Sequence, residues 1–363
     1  MTAGMMRAVR IFEHGDTGVL KVDEYPIPEP GENDLLVKVI ATGVSGWDIK
    51  YRRGDFLKHF NQSGLPGRKK FPLPQQPGRE ASGTVIKTGS CVTRFKTGDA
   101  VLGLVHPQND YCTNTMRGLG NLSTEIDYPG HAAFGGNAQY ICRPEHYWFP
   151  IPDGVSYEQA AAGSWSFPTS HRIVVDRCKI AIGDTVFITG TAGGMGNAAV
   201  QWARLAGASI IGCTRKAEKI SSIEALGVDL VINTMDSSHA YDQMMSMTHG
   251  EGIDHFIEFT GSPSLIELGL EALRVGGTVC PVGGDMSDKP LPFKVMDFTK
   301  KEMTVLGIRG SRLNDQRIYL EQLATGKISV PIAATLPLSE IQEAHRLIEN
   351  GEVVGKVLIN PWL

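Results

Sequence analysis

The chain has 363 residues, 42% hydrophobic and 20% charged, which is enough for two domains with sizeable cores. A net charge of -4 gives no basic footprint for nucleic acid or an anionic membrane, and no apolar run reaches the length that spans a bilayer. Cys91, Cys112, Cys142, Cys178, Cys213 and Cys280 follow no C-x-x-C or other regular spacing, which argues against a disulfide framework or a zinc ribbon. Reduced thiols and the absence of an apolar signal core in "MTAGMMRAVRIFEHG" predict a cytoplasmic protein.

From residue 6 to about 155, short apolar or alternating runs ("MRAVRIF", "LLVKVIATG", "GTVIKTG", "DAVLGLV", "AQYICRP") are punctuated by Gly and Pro, the pattern of strands joined by long loops. Two loops are long for a packed domain, one from Gly54 to Gly78 and one from His106 to Gly136. Arg68, Lys69 and Lys70 in the first are either a solvated loop tip or a contact for a phosphorylated substrate tail. From about 166 to 312 the period changes: "TVFITG", "SIIGCT", "DLVINT", "HFIEFTG" and "GTVCPVGG" alternate with helical patterns, which predicts a parallel sheet covered on both faces. The tail adds two helices and a strand, "GKVLI". The second helix is predicted to start at a capping box of Ser339 and Gln342, to bury Ile341, Ala344, Leu347 and Ile348, and to stop at Gly351.

In "TVFITGTAGGMGNAAVQWARLAG" a buried strand runs into Gly190, Gly193, Gly194 and Gly196 and then into an amphipathic helix. In that context small residues let the backbone approach a pyrophosphate, and the amides of the helix start attract it. Past the next strand the chain has Thr214, Arg215, Lys216 and Lys219, with no carboxylate to accept the ribose hydroxyls of NAD. Those cations suit a 2′-phosphate and predict NADPH, the alternative being a basic helix start that only faces solvent.

Together with the β-rich N-terminal part, the "GTAGGMG" turn and the ending "LPLSEIQEAHRLIENGEVVGKVLI" resemble the medium-chain dehydrogenase/reductase superfamily over nearly the whole chain. The resemblance implies an α/β protein: a GroES-like β-rich catalytic domain at 1–165, a Rossmann NADP-binding domain at 166–312, and a return to the catalytic domain at 313–363. It also implies an active site in the cleft between domains and a homodimer or homotetramer, with "MTVLGI" as a plausible edge for pairing. In the zinc-dependent branch the catalytic ligands come from "G-x-C-x-[ST]-D", "G-H-E" and a Cys ahead of the Rossmann domain. The matching stretches here are "GVSGWD", "GRE" and "AAAGSWSFPT", which place Ser45, Arg79 and Trp165 at the three ligand positions. Hydroxyl, guanidinium and indole are not zinc ligands, so no metal is expected. Arg79 would bring a permanent charge to the place of the dication, paired with Asp48 and Glu80, or would meet a substrate carbonyl or carboxylate. The lobe that carries a structural zinc in that branch has Asn109, Cys112, Thr115 and Ser123, a single thiol, with His106 and His131 flanking it in ordinary loop contacts.

"ATGVSGWDIKYRRGD" also resembles the quinone reductase pattern. It keeps Asp48 and Arg52, with Lys50 at the position of a Tyr and Phe56 at the place of the catalytic Tyr of enoyl reductases. Without a Lewis acid, hydride transfer to an activated C=C bond is favoured over transfer to a carbonyl, because an enolate can be held by hydrogen bonds. The expected activity is therefore NADPH-dependent reduction of an α,β-unsaturated carbonyl or quinone. Ser45, Lys50, Tyr51 and Arg79 are the catalytic candidates, and Trp47 and Trp165 the pocket walls. The resemblance places Gly193, Gly194, Met195 and Gly196 on the pyrophosphate and Thr214, Arg215 and Lys219 on the 2′-phosphate, with Thr169, Val282 and Arg309 near the nicotinamide. "LGIRGSR" and its preceding Rossmann portion look more like alcohol dehydrogenases, which leaves a zinc-free ketone reductase open, and a cofactor-binding protein without turnover is the remaining alternative.

Overall fold

The computed structural model describes residues 4–55, 72–124, 126–236, 238–283 and 294–363, so Phe56, Arg68, Lys69 and Lys70 lie outside the described residues. Contacts divide the chain into two units, Met1–Trp165 with Gly310–Leu363, and Ser166–Arg309.

In the first unit, β1 (Met5–Arg10) and β2 (Lys21–Pro26) form an antiparallel ribbon. The long strand β3 (Asp34–Val44) is the centre of the main sheet, pairing antiparallel with β4 (Glu80–Thr88) and with β6 (Tyr140–Pro144). Beyond β4 come β5 (Ala100–Gly103) and β7 (Trp148–Pro150). Alternation puts Leu35, Val37 and Val39 of β3 on one face, where they pack with Val85, Val101, Ile141 and Trp148.

The second unit is a parallel sheet of β8 (Thr185–Ile188), β9 (Ser209–Thr214), β10 (Leu230–Asn233), β11 (Ile253–Glu258), β12 (Leu273–Pro281) and β13 (Thr304–Val305). Its order is β10-β9-β8-β11-β12-β13, the doubly wound arrangement with a switch point between β8 and β11. Phe187 and Phe256 stack at 5.3 Å between centroids at the centre of its core.

The chain then returns to the first sheet: β14 (Ile332–Pro337) pairs with β15 (Lys356–Asn360), and β15 runs antiparallel to β3, with Leu358 opposite Gly43. The helix before β15 spans Ile341–Glu349 and buries Ile341 and Ala344 as its spacing predicts, but the expected capping box is not formed. Leu338–Glu340 makes a tight 3-10 turn instead, and the Gln342 side chain donates to the Leu20 carbonyl, which takes it away from the helix start.

Candidate active site

Ser45 has extended backbone and caps the helix Gly46–Arg53. Its Oγ–H donates to Asp48 Oδ2 at 2.6 Å, its N–H donates to the same oxygen at 2.9 Å, and Asp48 N–H returns a bond to Ser45 Oγ at 3.4 Å. This reciprocal box commits both side chains to the helix start. The helix carries three further candidates. Trp47 is 38% exposed and tilts against Trp165 at 5.7 Å, Lys50 Nζ stands 6.0 Å from the Trp47 ring, and Tyr51 is buried with its ring 5.9 Å from that of Trp47.

Arg79 enters from the turn before β4. Gly78 is in the left-handed region at φ 98°, and a Cβ there would stand 2.5 Å from the Asn137 nitrogen, so only glycine allows this approach. The Arg79 side chain is 4% exposed and lies among aromatic faces: Trp165 at 4.1 Å, Tyr128 at 4.9 Å and Tyr51 at 5.9 Å from the guanidinium carbon. Nη2 donates to the Val105 carbonyl at 3.1 Å and Nη1 to the Tyr51 hydroxyl at 3.4 Å. His131 packs 5.0 Å from Tyr51 and His106 5.8 Å from Trp165.

The expected pairing of Arg79 with Asp48 and Glu80 is not what the structure shows. Consecutive residues at a strand entrance point to opposite sides, and Glu80 turns away from Arg79 to form an ion pair with Lys356 of β15 and to accept the Trp165 N–H at 3.1 Å. Glu80 is fully buried, and burial pushes its carboxyl up while Lys356 pulls it back. Asp48 Oδ2 is held by Ser45, and its buried Oδ1 has no hydrogen-bond partner among the described residues. Lys356 and the aromatic Tyr128 escaped the sequence reading. Nothing in "GKVLI" marks a counter-ion, and Tyr128 lies in the long loop, where periodicity gives no signal.

At the positions of the structural-zinc lobe, hydrogen bonds hold the loop. Ser123 Oγ accepts the Asn109 N–H at 2.7 Å, and Cys112 Sγ lies 3.4 Å from both Thr124 Oγ1 and Thr124 N. These Thr124 contacts hold the Cys112 thiol down to about 6. Among the described residues no three His, Cys, Asp or Glu side chains gather as metal ligands.

In the second unit the helix Gly194–Ala206 starts directly after β8 and the glycine turn, with Gly193 as its cap. A Cβ on Gly196 would stand 2.3 Å from the Gly190 carbonyl oxygen, so the last glycine of the turn is sterically required. Thr169 Oγ1 is buried with no hydrogen-bond partner among the described residues, which fits a residue that completes its bonding with a cofactor amide. At the end of β9, Thr214 Oγ1 accepts the Lys216 N–H at 3.1 Å, and Arg215 and Lys216 are exposed beside Lys219. Burial, with the Lys216 charge adding, pulls the Lys219 ammonium down, and the Glu218 carboxylate opposes that pull. Val282 donates its N–H to the Glu258 carbonyl at 2.8 Å, and Arg309 is half-buried.

Glu258, at the end of β11, was also missed. Its Oε1 accepts from Thr189 Oγ1, Thr260 N–H, Thr260 Oγ1 and Gly261 N–H, which ties the ends of β8 and β11 together at the switch point. A lone Glu inside the apolar run "HFIEFTG" was the available signal.

Residues 31–153 match the alcohol dehydrogenase GroES-like domain and residues 194–325 the zinc-binding dehydrogenase family. The human quinone oxidoreductase is 26% identical over 363 residues, with 98% of each chain covered. An NAD-dependent alcohol dehydrogenase of Sulfurisphaera tokodaii is 27% identical over 359 residues, covering 98% of this chain and 100% of its own. A Sinorhizobium meliloti 1021 protein assigned to the zinc-binding dehydrogenases, solved with NADP bound, superposes with a TM-score of 0.84 at 28% identity, covering 99% of this chain and 100% of that one. The chain belongs to the medium-chain dehydrogenase/reductase superfamily and has its nicotinamide-dinucleotide-binding fold. Among the described residues no helix is long and apolar enough to cross a membrane.

Proposed function

We propose that the chain is a zinc-independent, NADPH-dependent reductase of activated C=C bonds in α,β-unsaturated carbonyls or of quinones. The observation that carries this reading is the buried Arg79 guanidinium against Trp165 and Tyr51, at a position where the zinc branch has a histidine ligand. A guanidinium has no lone pair to give a metal and repels a dication, and Ser45 has its hydroxyl committed to Asp48. The donor set therefore does not fit catalytic zinc.

The second unit's residues do fit a dinucleotide. The amides of Gly193, Gly194, Met195 and Gly196 would hold the pyrophosphate, and Thr214, Arg215 and Lys219 the 2′-phosphate. Thr169, Val282 and Arg309 would contact the nicotinamide end. When bound, NADPH supplies the hydride. What remains for the protein is to orient the acceptor, exclude water and stabilise the negative charge that develops on the substrate oxygen. Among the polar candidates Tyr51 is the best placed. It accepts from Arg79, which leaves its own proton directed elsewhere, whereas Ser45 is spent on its helix cap. Trp47 and Trp165 form apolar walls suited to a flat conjugated system.

A matched pair tests the reading: an α,β-unsaturated ketone and its saturated counterpart, each incubated with enzyme and NADPH, with products identified. Loss of the double bond with the carbonyl intact is the expected result. Alcohol formation from either compound would instead make the chain a ketone reductase.

A further inference from the structure

A guanidinium presents five N–H donors, and among the described residues only two meet acceptors in Arg79, at the Val105 carbonyl and the Tyr51 hydroxyl. Nε is buried without a partner. Among the described residues no carboxylate pairs with Arg79, since Glu80 is taken by Lys356 and Asp48 by Ser45. A second cation shares the space behind it. Arg143 and Arg79 line one cavity of about 10 Å³, room for no more than a single water, together with Leu104, Tyr147 and Trp148. Burial pulls the Arg143 guanidinium down to about 10, and the Arg79 charge adds to that. The Arg143 Nη2 donates to the Asp127 carbonyl, and the Asp127 carboxylate acts on Arg143.

Ring faces offset only part of the cost of a buried charge, and an uncompensated one is strongly unfavourable. A planar fork with open donors matches the two oxygens of a carboxylate, and its slight exposure admits only a compact terminal group. Resting on the reading of this unit as the one that receives the reductase's acceptor, we propose that Arg79 anchors a carboxylate on the substrate, separate from the carbonyl that activates the reduced bond. The substrates are then unsaturated oxo acids or carboxylated quinones. Neutral enones of the same shape are poor substitutes.

Binding can be read without turnover, by calorimetric titration of the full chain, free of NADPH, with 4-oxopentanoate and with its methyl ester. The acid is expected to bind about tenfold or more tightly than the ester, as a charge-assisted fork requires. Arg79→Met should abolish that preference, with ester affinity retained. Arg79→Lys, which keeps the charge but not the fork, should lower it several-fold and serves if the Met variant does not fold. Equal affinity of acid and ester for the wild type, no binding of the acid at millimolar concentration, or an unchanged preference in a folded Arg79 variant would overturn the proposal. An acid preference that depends on Arg79, in an enzyme that oxidises NADPH with no unsaturated acid, would sink the reductase reading and leave the anchor standing. Turnover of neutral enones with no acid preference would do the reverse.

Discussion

Arg79 and Glu80 are neighbours in sequence and part company in space: the guanidinium lies 4.1 Å over Trp165, while the carboxylate pairs with Lys356 on the last strand of the chain. The two charges therefore do different work. One is buried against rings with donors to spare, and the other is neutralised inside the sheet.

Breaking the Glu80–Lys356 pair on one side should be costly, because it leaves a buried charge alone. Glu80→Gln is expected to lower stability by about 3–5 kcal/mol, read from the urea midpoint at constant slope. Adding Lys356→Met should recover most of that loss. If the double variant is as unstable as the single one, the pair is not what the position needs.

Cofactor choice is tested at the end of β9. Arg215→Ala should raise the KM for NADPH roughly tenfold or more and leave the KM for NADH within about twofold, since only the phosphate ester uses the guanidinium. Equal effects on both cofactors would remove Arg215 from the 2′-phosphate.

Metal independence has a direct measurement. Zinc content of the purified chain should be well below one per molecule, and dialysis against a chelator should leave both kcat and Tm where they were. A stoichiometric metal whose removal abolishes turnover would contradict the reading of Ser45, Arg79 and Trp165.

A pH dependence follows from His345. It is buried, accepts from Arg52 Nη1 at its Nδ1 at 3.4 Å, and is held down to about 3 by burial, with the Arg52 charge adding; Arg52 in turn is ion-paired with Glu349 at 2.6 Å. The unfolded chain takes up a proton on this ring near 6.5, before the folded one does. The stability contributed by the neutral ring is therefore fully present above that value and is lost as the pH falls towards 3, by a few kcal/mol at most, on the order of one per pH unit. His345→Gln should flatten the fall in Tm between pH 6.5 and 4 relative to wild type, even if it lowers Tm at pH 7. An unchanged slope would place the acid sensitivity in groups other than His345.

The architecture was legible because both periods are strong. Strand alternation around Leu35, Val37 and Val39, and the strand-turn-helix at Gly190 to Gly196, are local patterns that tertiary packing only confirms. The residue at the emptied ligand position was legible too, since "GRE" is a short motif. Its company was not. Which way Glu80 turns depends on a lysine 276 residues away, and the rings around Arg79 include Tyr128 from a loop whose sequence has no period. The helix start expected at Ser339 failed for a similar reason, because Gln342 found a better acceptor in the distant Leu20 carbonyl.

The return of the chain to β15 has a consequence for biosynthesis. As the protein leaves the ribosome, residues 166–309 emerge whole and contain every strand of their own sheet, so that unit can fold while the rest is still being made. The first-made unit cannot be completed then. Its central strand β3 lacks a neighbour and Glu80 lacks its cation until β15 with Lys356 is synthesised. A nascent chain that stops just short of that lysine would hold a finished dinucleotide-binding unit beside an open sheet with a charge in its core.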